Sequence, residues 1–470
     1  MKKQTFGVIV TTRGFFPSHL VETAREKITK LLAEMGYGYV MVSETDTKYG
    51  AVLTYDEAKK CASLFKKHAE EISGIICILP NFGEETGVAE AIKLAGLDVP
   101  VLVQACDDDL DKLNMENRRD AFCGKISLCN NLYQRGILYT GTKLHTCNLN
   151  SPEFKNDIDD FAAVCRIVTG VRGSRIAMLG ARPNAFNTVR FSEKILQMYD
   201  INVQSIDFSE VIAAAEAIND EAAVRAKVAE IEAYGRILEG TTDSDLTKQA
   251  KLCIALENFV EDLDCQASTV QCWDSAQKNY GCCTCLAMSM MGDKGKPSAC
   301  ESDVTGAVSM LSAYLAAGTA PALVDWNNNY GEDRDKCIAF HCSNYPKSFF
   351  GDTDVEIGIQ DILEKTVGAE NAFGTVQGRV AAGPMTYVRV TTDDETGMMK
   401  AYIGEGEFTD DKVDTKGGIA VCHIPNLQGL LKHICNNGYE HHVCFVRGNY
   451  ADVLAEALGK YLGMEVYLHE

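Results

Sequence analysis

Fully apolar runs that alternate with helical segments constrain this chain most. Gly74 to Leu79 reads G-I-I-C-I-L and stops at Pro80-Asn81-Phe82-Gly83. After a helical segment at 85–95, Val99-Pro100-Val101-Leu102-Val103 repeats the pattern. A strand with one wet face alternates apolar with polar residues, so a strand that is apolar throughout is covered on both faces. Strands at 5–12 and 39–42 and helices near 18–35 and 55–70 complete a series in which strand and helix alternate. That order predicts a parallel sheet with helices on both sides. Residues 1–170 are therefore expected to form an N-terminal α/β domain.

A second series starts at Ser174-Arg175-Ile176-Ala177-Met178-Leu179-Gly180. It continues through strands at 201–206 and 268–271, and the apolar strand 320–324 that leads into Asp325 closes it. Residues 171–345 thus read as a second α/β domain. From 346 the character changes. Segments 374–380, 385–391 and 399–405 read as strands, with Thr392-Asp393-Asp394-Glu395-Thr396-Gly397 as a hairpin loop between two of them. The expected architecture is α/β: two doubly wound parallel-sheet (Rossmann-like) domains, then a strand-rich, β-barrel-like C-terminal domain at 346–470.

Charge and cysteine content narrow the function. The 470 residues carry 66 acids against 45 bases, a net charge of −21. Such a surface argues against nucleic acid and anionic membranes as partners. Met1-Lys2-Lys3-Gln4-Thr5-Phe6 leads straight into a strand, not an apolar leader, and no run of about 18 apolar residues occurs. The 19 cysteines are then expected to be reduced thiols in a cytoplasmic protein, several of them (Cys77, Cys253, Cys444) serving as small core hydrophobes.

The chemistry-bearing stretch runs from Cys300 to His341. After Glu301, the residues Val304, Ala307, Val308, Leu311 and Leu315 recur at helical spacing, and Gly318 ends the helix. Asp325 follows the apolar strand. Acids at helix starts are ordinarily caps or dipole partners, and acids after strands are ordinarily turn residues. Two that converge at one edge of a sheet invite a divalent cation or a proton-transfer pair. His341 lies in the strand-like Ile338-Ala339-Phe340-His341-Cys342, and His441-His442 precedes Val443-Cys444-Phe445-Val446. Such histidines are metal ligands or, more ordinarily, hydrogen-bonded core and surface groups. Cys282-Cys283-Thr284-Cys285 has a C-x-x-C spacing but lacks the second pair that a metal site needs. Arg172, Arg175, Arg182 and Arg190 surround one strand-to-helix turn. They read as solvated charge or as a cradle for an anionic substituent.

Taken together, Glu301, Asp325, His341 and His441 resemble the metal site of the L-fucose/L-arabinose isomerase family. C-E-S-D-V-T-G-A-V-S-M-L is similar to the family's segment with a metal-binding Glu at a helix start. The second acid, after A-P-A-L-V, falls on Asp325 and looks like the fucose branch. A-F-H-C resembles the arabinose-type strand that supplies a His ligand. G-Y-E-H-H-V-C-F-V is similar to the late His motif, best matched by His441 with His442 as rival. Q-G-R-V-A-A-G-P-M-T-Y-V-R-V and A-Y-I-G-E-G-E resemble the C-terminal domain of both branches. The first 150 residues resemble the family in fold pattern more than in motif.

The resemblance implies an aldose–ketose isomerase that works by ene-diol proton transfer and depends on Mn²⁺ or another divalent metal. Glu301 and Asp325 would be both ligands and proton carriers, with His441 and His341 completing the coordination. Gln271 and Trp273 fall in the region of the sugar contacts. A homotrimer or homohexamer acting on a small sugar is implied, and the Arg cluster leaves room for a modified or anionic one. The rival readings are a non-catalytic sugar-binding or sensor protein and a metal-dependent sugar epimerase or aldolase.

Overall fold

The computed structural model describes residues 3–341, 344–359 and 361–470. The chain forms two compact units, Met1–Thr169 and Gly170–Glu470.

In the first unit, strands β1 (Thr5–Val10), β2 (Gly38–Val40), β3 (Ile72–Leu79), β4 (Val101–Ala105) and β5 (Thr140–Gly141) form one sheet in the order β2-β1-β3-β4-β5. All its pairings are parallel. Helices α1 (His19–Glu34), α2 (Tyr55–Lys67), α3 (Glu85–Ala95), α4 (Ala121–Gln134) and α5 (Pro152–Val171) make the crossovers. Strand β3 shows why its run is apolar throughout. Ile75, Cys77 and Leu79 pack with Phe65, Val88 and Leu128 of α2, α3 and α4 on one face. Ile76 and Ile78 pack with Val21, Ile28 and Phe161 of α1 and α5 on the other. Successive side chains of a strand point to opposite faces, so a strand covered on both sides buries apolar side chains on each.

In the second unit the chain lays down β6 (Arg175–Leu179), β7 (Asn202–Ile206), β8 (Arg236–Ile237), β9 (Ala267–Val270), β10 (Ser298–Cys300), β11 (Ala322–Tyr330), β12 (Asp333–His341), β13 (Glu356–Ile359), β14 (Phe373–Arg379), β15 (Gly383–Asp393), β16 (Met398–Phe408), β17 (Gly418–His423), β18 (His442–Arg447) and β19 (Glu465–Leu468). Four of these form a parallel sheet, β10-β9-β6-β7. The other ten form a mixed sheet, β19-β16-β15-β18-β11-β12-β17-β14-β13-β8, in which β16 also pairs with β17. The fold is thus α/β with parallel sheets first and a large strand-rich mixed sheet towards the C-terminus. The hairpin expected at 392–397 joins β15 to β16, with Asp393 opposite Met398.

One strand departs from the expectation. The run into Asp325 does not extend the parallel sheet. β11 is antiparallel to both β12 and β18 and lies inside the mixed sheet. The reason is the turn that follows. Tyr330 pairs with Asp333 across Gly331-Glu332, and a two-residue connection joins only antiparallel neighbours. Gly331 sits at φ 54°, in the left-handed region such a turn demands. Glu301, after β10, and Asp325, in β11, therefore come from two different sheets.

Candidate active site

Strand register brings Asp325 to its partners. On β11, Asp325 lies directly opposite His442 of β18 on one side and Phe340 of β12 on the other. Directly opposed residues carry their side chains on the same face, so Asp325 and His442 converge. His441, one residue earlier, passes its backbone carbonyl to the Trp326 amide. Its side chain is 42% exposed, whereas that of His442 is fully buried.

Glu301 arrives from the other sheet. Glu301 and Ser302 both take left-handed backbone angles, φ 60° and 61°. Two such non-glycine residues in a row turn the chain sharply after β10, a costly conformation that tends to occur at functional sites. Ser302 fixes the turn by donating its hydroxyl to the Gly180 carbonyl at the end of β6, at 3.1 Å. The helix Val304–Ala317 starts later than expected, and its cap is Asp303, whose Oδ1 accepts the Gly306 amide at 2.8 Å. Glu301 is thus freed from capping. Gly318 ends the helix in the left-handed region, as expected.

These side chains meet around the His442 ring. His442 Nε2 lies 3.4 Å from Glu301 Oε2 and 3.5 Å from Asp325 Oδ1, and His441 Nε2 lies 3.3 Å from the same Asp325 oxygen. Two overlapping donor groups result: Glu301, His341 and His442, and Asp325, His441 and His442. The His341 and His442 rings stand 5.5 Å apart. Among the described residues, neither Asp325 Oδ1 nor His442 Nε2 has a hydrogen-bond partner, and both are buried. A buried polar atom without a partner costs about 1–3 kcal/mol, and a cation beside these two would satisfy both. Carboxylate oxygens with imidazole nitrogen suit a divalent ion such as Mn²⁺. The residues present fit the metal that the family resemblance implies.

Electrostatics agree. Burial alone would raise the Asp325 carboxyl, but the neighbouring His341, His441 and His442 hold it below the usual carboxylate range. Burial alone would lower His442, yet the neighbouring carboxylates of Asp303 and Glu301 push it up to about 10. Asp303 is held well down despite complete burial, chiefly by the Arg389 guanidinium.

Gln271 and Trp273 follow β9. The Gln271 amide donates to the Leu179 carbonyl, and its side chain occupies the space that a Cβ on Gly180 would fill. Trp273 meets the Phe186 ring edge-on at 5.6 Å, and Phe186 in turn meets His441 and His442 at 5.4 and 5.6 Å. Both residues therefore stand near the acids and histidines. The four arginines do not form one cluster. Arg175 opens β6, with its guanidinium on the Leu263 carbonyl, while Arg182 follows the other end and donates to the Pro183 and Asn184 carbonyls. Cys282 and Cys285 join no three-donor group among the described residues; Cys272 and Cys300 do, beside Glu301.

Sequence reasoning missed three residues here. Phe186 carries no signal in its loop. Asp303 lay inside the C-E-S-D motif, overshadowed by Glu301. Arg389 interrupts the apolar Tyr387-Val388-Arg389-Val390 and is fully buried; a lone charge inside a strand of that kind was the available clue.

Residues 7–172 match the model of the fucose/sulfoquinovose isomerase N-terminal domain, and residues 339–469 match that of the L-fucose isomerase C-terminal domain. The chain belongs to the fucose isomerase family. As a member it is an aldose–ketose isomerase. Its similar relatives include the sulfoquinovose isomerase of Priestia aryabhattai, 23% identical over 312 residues, which covers 65% of this chain and 67% of that protein. The sulfoquinovose isomerase of Clostridium sp. (strain MSTE9) is 25% identical over 300 residues, 63% of this chain and 65% of that one.

Proposed function

We propose that this isomerase moves a proton between C1 and C2 of an anionic aldose through an ene-diol, with a divalent metal at the Glu301–Asp325–His442 centre. The observation that carries the reading is the pair of unpartnered buried atoms, Asp325 Oδ1 and His442 Nε2, 3.5 Å apart, with Glu301 Oε2 3.4 Å from the histidine nitrogen. Glu301, Asp325 and His442 would hold the ion, with His341 sharing the donor group of Glu301 and His442 and His441 as the more exposed alternative to His442. A bound hard ion such as Mn²⁺ would polarise the sugar's reacting oxygens and stabilise the developing oxyanion. Glu301 and Asp325 share the proton transfer: one takes the C2 proton of the aldose as O1 is protonated to give the ene-diol, and a carboxyl returns a proton to C1 as O2 gives up its own. Their origin in two sheets lets the two carboxylates approach the sugar from different directions. Phe186 and Trp273 offer apolar faces to the ring carbons, and Gln271 offers an amide for a hydroxyl.

The names of the relatives support a sulfonated substrate. Arg182, on the loop that carries Phe186, donates to the Pro183 and Asn184 carbonyls and supplies a cation for such a group. A cytoplasmic homotrimer or homohexamer is part of the same reading; among the described residues no helix is long and apolar enough to cross a membrane. The test treats the protein with EDTA and offers L-fucose, D-arabinose, L-arabinose and a 6-sulfonated hexose, with and without added Mn²⁺. NMR should show Mn²⁺-restored ketose from the sulfonated sugar. Turnover of neutral sugars alone would refute the anionic substrate, and an epimer as product would refute the reaction.

A further inference from the structure

The buried groups behind His442 form an ordered chain. Asp303 is inaccessible to solvent, and four donors and the His442 ring reach its two oxygens. Oδ1 accepts the Gly306 amide at 2.8 Å, Arg389 Nη2 at 3.0 Å and the Thr305 hydroxyl at 3.2 Å. Oδ2 accepts Arg389 Nη1 at 2.5 Å and faces His442 Nδ1 at 2.8 Å. Arg389 is fully buried as well. Its Nε donates to Glu440 Oε2 at 3.1 Å, and Glu440 Oε1 takes the Thr391 hydroxyl at 2.5 Å.

With this many donors converging, Asp303 is an ionised, acceptor-only carboxylate. It has no proton to give, so the proton in the Asp303–His442 contact sits on His442 Nδ1. That leaves Nε2 as the nitrogen aimed at Glu301 and Asp325. A carboxylate behind a ligating imidazole fixes its tautomer and ring orientation and raises its basicity. We propose that Asp303 is the positioning residue of the metal centre, selecting Nε2 of His442 as the coordinating atom, and that the Arg389–Glu440 pair holds Asp303 in place. The proposal rests on the reading of His442 as a metal ligand. Glu301 and Asp303, two residues apart, thereby divide the work of one motif between the centre itself and its support.

The test measures Mn²⁺ affinity by the EPR signal of free Mn²⁺, for the wild type and for Asp303→Asn. The Asn amide would turn an NH₂ towards Arg389 or His442 where only acceptors fit. The expected result is a 10–100-fold rise in Kd. A merely structural role would lower the melting temperature of metal-free protein and leave the affinity of the folded fraction unchanged. That outcome overturns the proposal. If the wild type itself binds no Mn²⁺, the metal reading fails, and this inference fails with it for a separate reason. Should D303N not fold, ¹⁵N spectra of histidine-labelled wild type, with Mg²⁺ as a diamagnetic probe and an H442N variant for assignment, read the tautomer directly. A proton on Nδ1 is expected; a proton on Nε2 with Nδ1 bare overturns the proposal.

Discussion

Arg389→Met tests the buried ion network by stability. Methionine keeps an unbranched apolar chain of similar reach but removes the guanidinium that bridges Asp303 and Glu440. Asp303 retains His442 and the Gly306 amide, and Glu440 retains Thr391. Two buried carboxylates nevertheless lose their shared cation. Removing one partner of a buried ion pair costs about 3–5 kcal/mol, because the other charge stays in the interior. At about 2 °C per kcal/mol for a unit as large as Gly170–Glu470, the melting temperature should fall by roughly 6–10 °C. The melt is followed by circular dichroism in EDTA, so that metal binding contributes nothing. Adding Glu440→Gln to R389M removes one of the two stranded charges, so the double variant should melt above R389M. A fall of less than about 2 °C for R389M, or a double variant that melts below it, would refute the argument that uncompensated charge is the dominant cost.

Three further outcomes follow from other parts of the chain. Gly124→Ala should abolish folding of the first unit, because its Cβ would stand 1.5 Å from the Phe82 carbonyl oxygen, a backbone atom that cannot step aside; limited proteolysis of 1–169 against wild type checks this. Mn²⁺ at about a hundred times its Kd should stabilise the second unit by about 2.7 kcal/mol; a differential melt with and without EDTA should shift by roughly 5 °C, and D325N should lose most of that shift. In native protein at pH 8, iodoacetamide should label the exposed Cys123 and Cys435 well before Cys61 and Cys253, whose thiols burial pushes up to about 12; mass spectrometry of short labelling times reads the order.

The first sheet was legible because burial on both faces leaves an unbroken apolar run, and Gly74–Leu79 can hardly be anything else. The partners of β11 were not. Ala320–Val324 is equally apolar in a parallel or a mixed sheet, and only the tight turn at Gly331-Glu332 betrayed an antiparallel neighbour. The acids and histidines of the site were visible as residue types in motifs. Their division of labour was not. Glu301 and Asp303 differ by two positions, and the backbone turn at 301–302 decides which one caps the helix. His441 and His442 are adjacent, yet His441 precedes β18 and is exposed while His442 opens the strand and is buried. The register that sets His442 against Asp325 joins β11 to β18, two strands distant in sequence, and no local pattern records it.

The most direct measurement of the central claim is isomerisation in D₂O. Wild-type protein with Mn²⁺, given the 6-sulfonated hexose, should yield ketose carrying deuterium at C1, because a carboxyl that returns the proton exchanges with solvent. Glu301→Gln and Asp325→Asn, folded as judged by circular dichroism, should each lose nearly all turnover. Ketose that retains the substrate's own hydrogen throughout, or full activity in either variant, would contradict proton transfer by these two carboxylates.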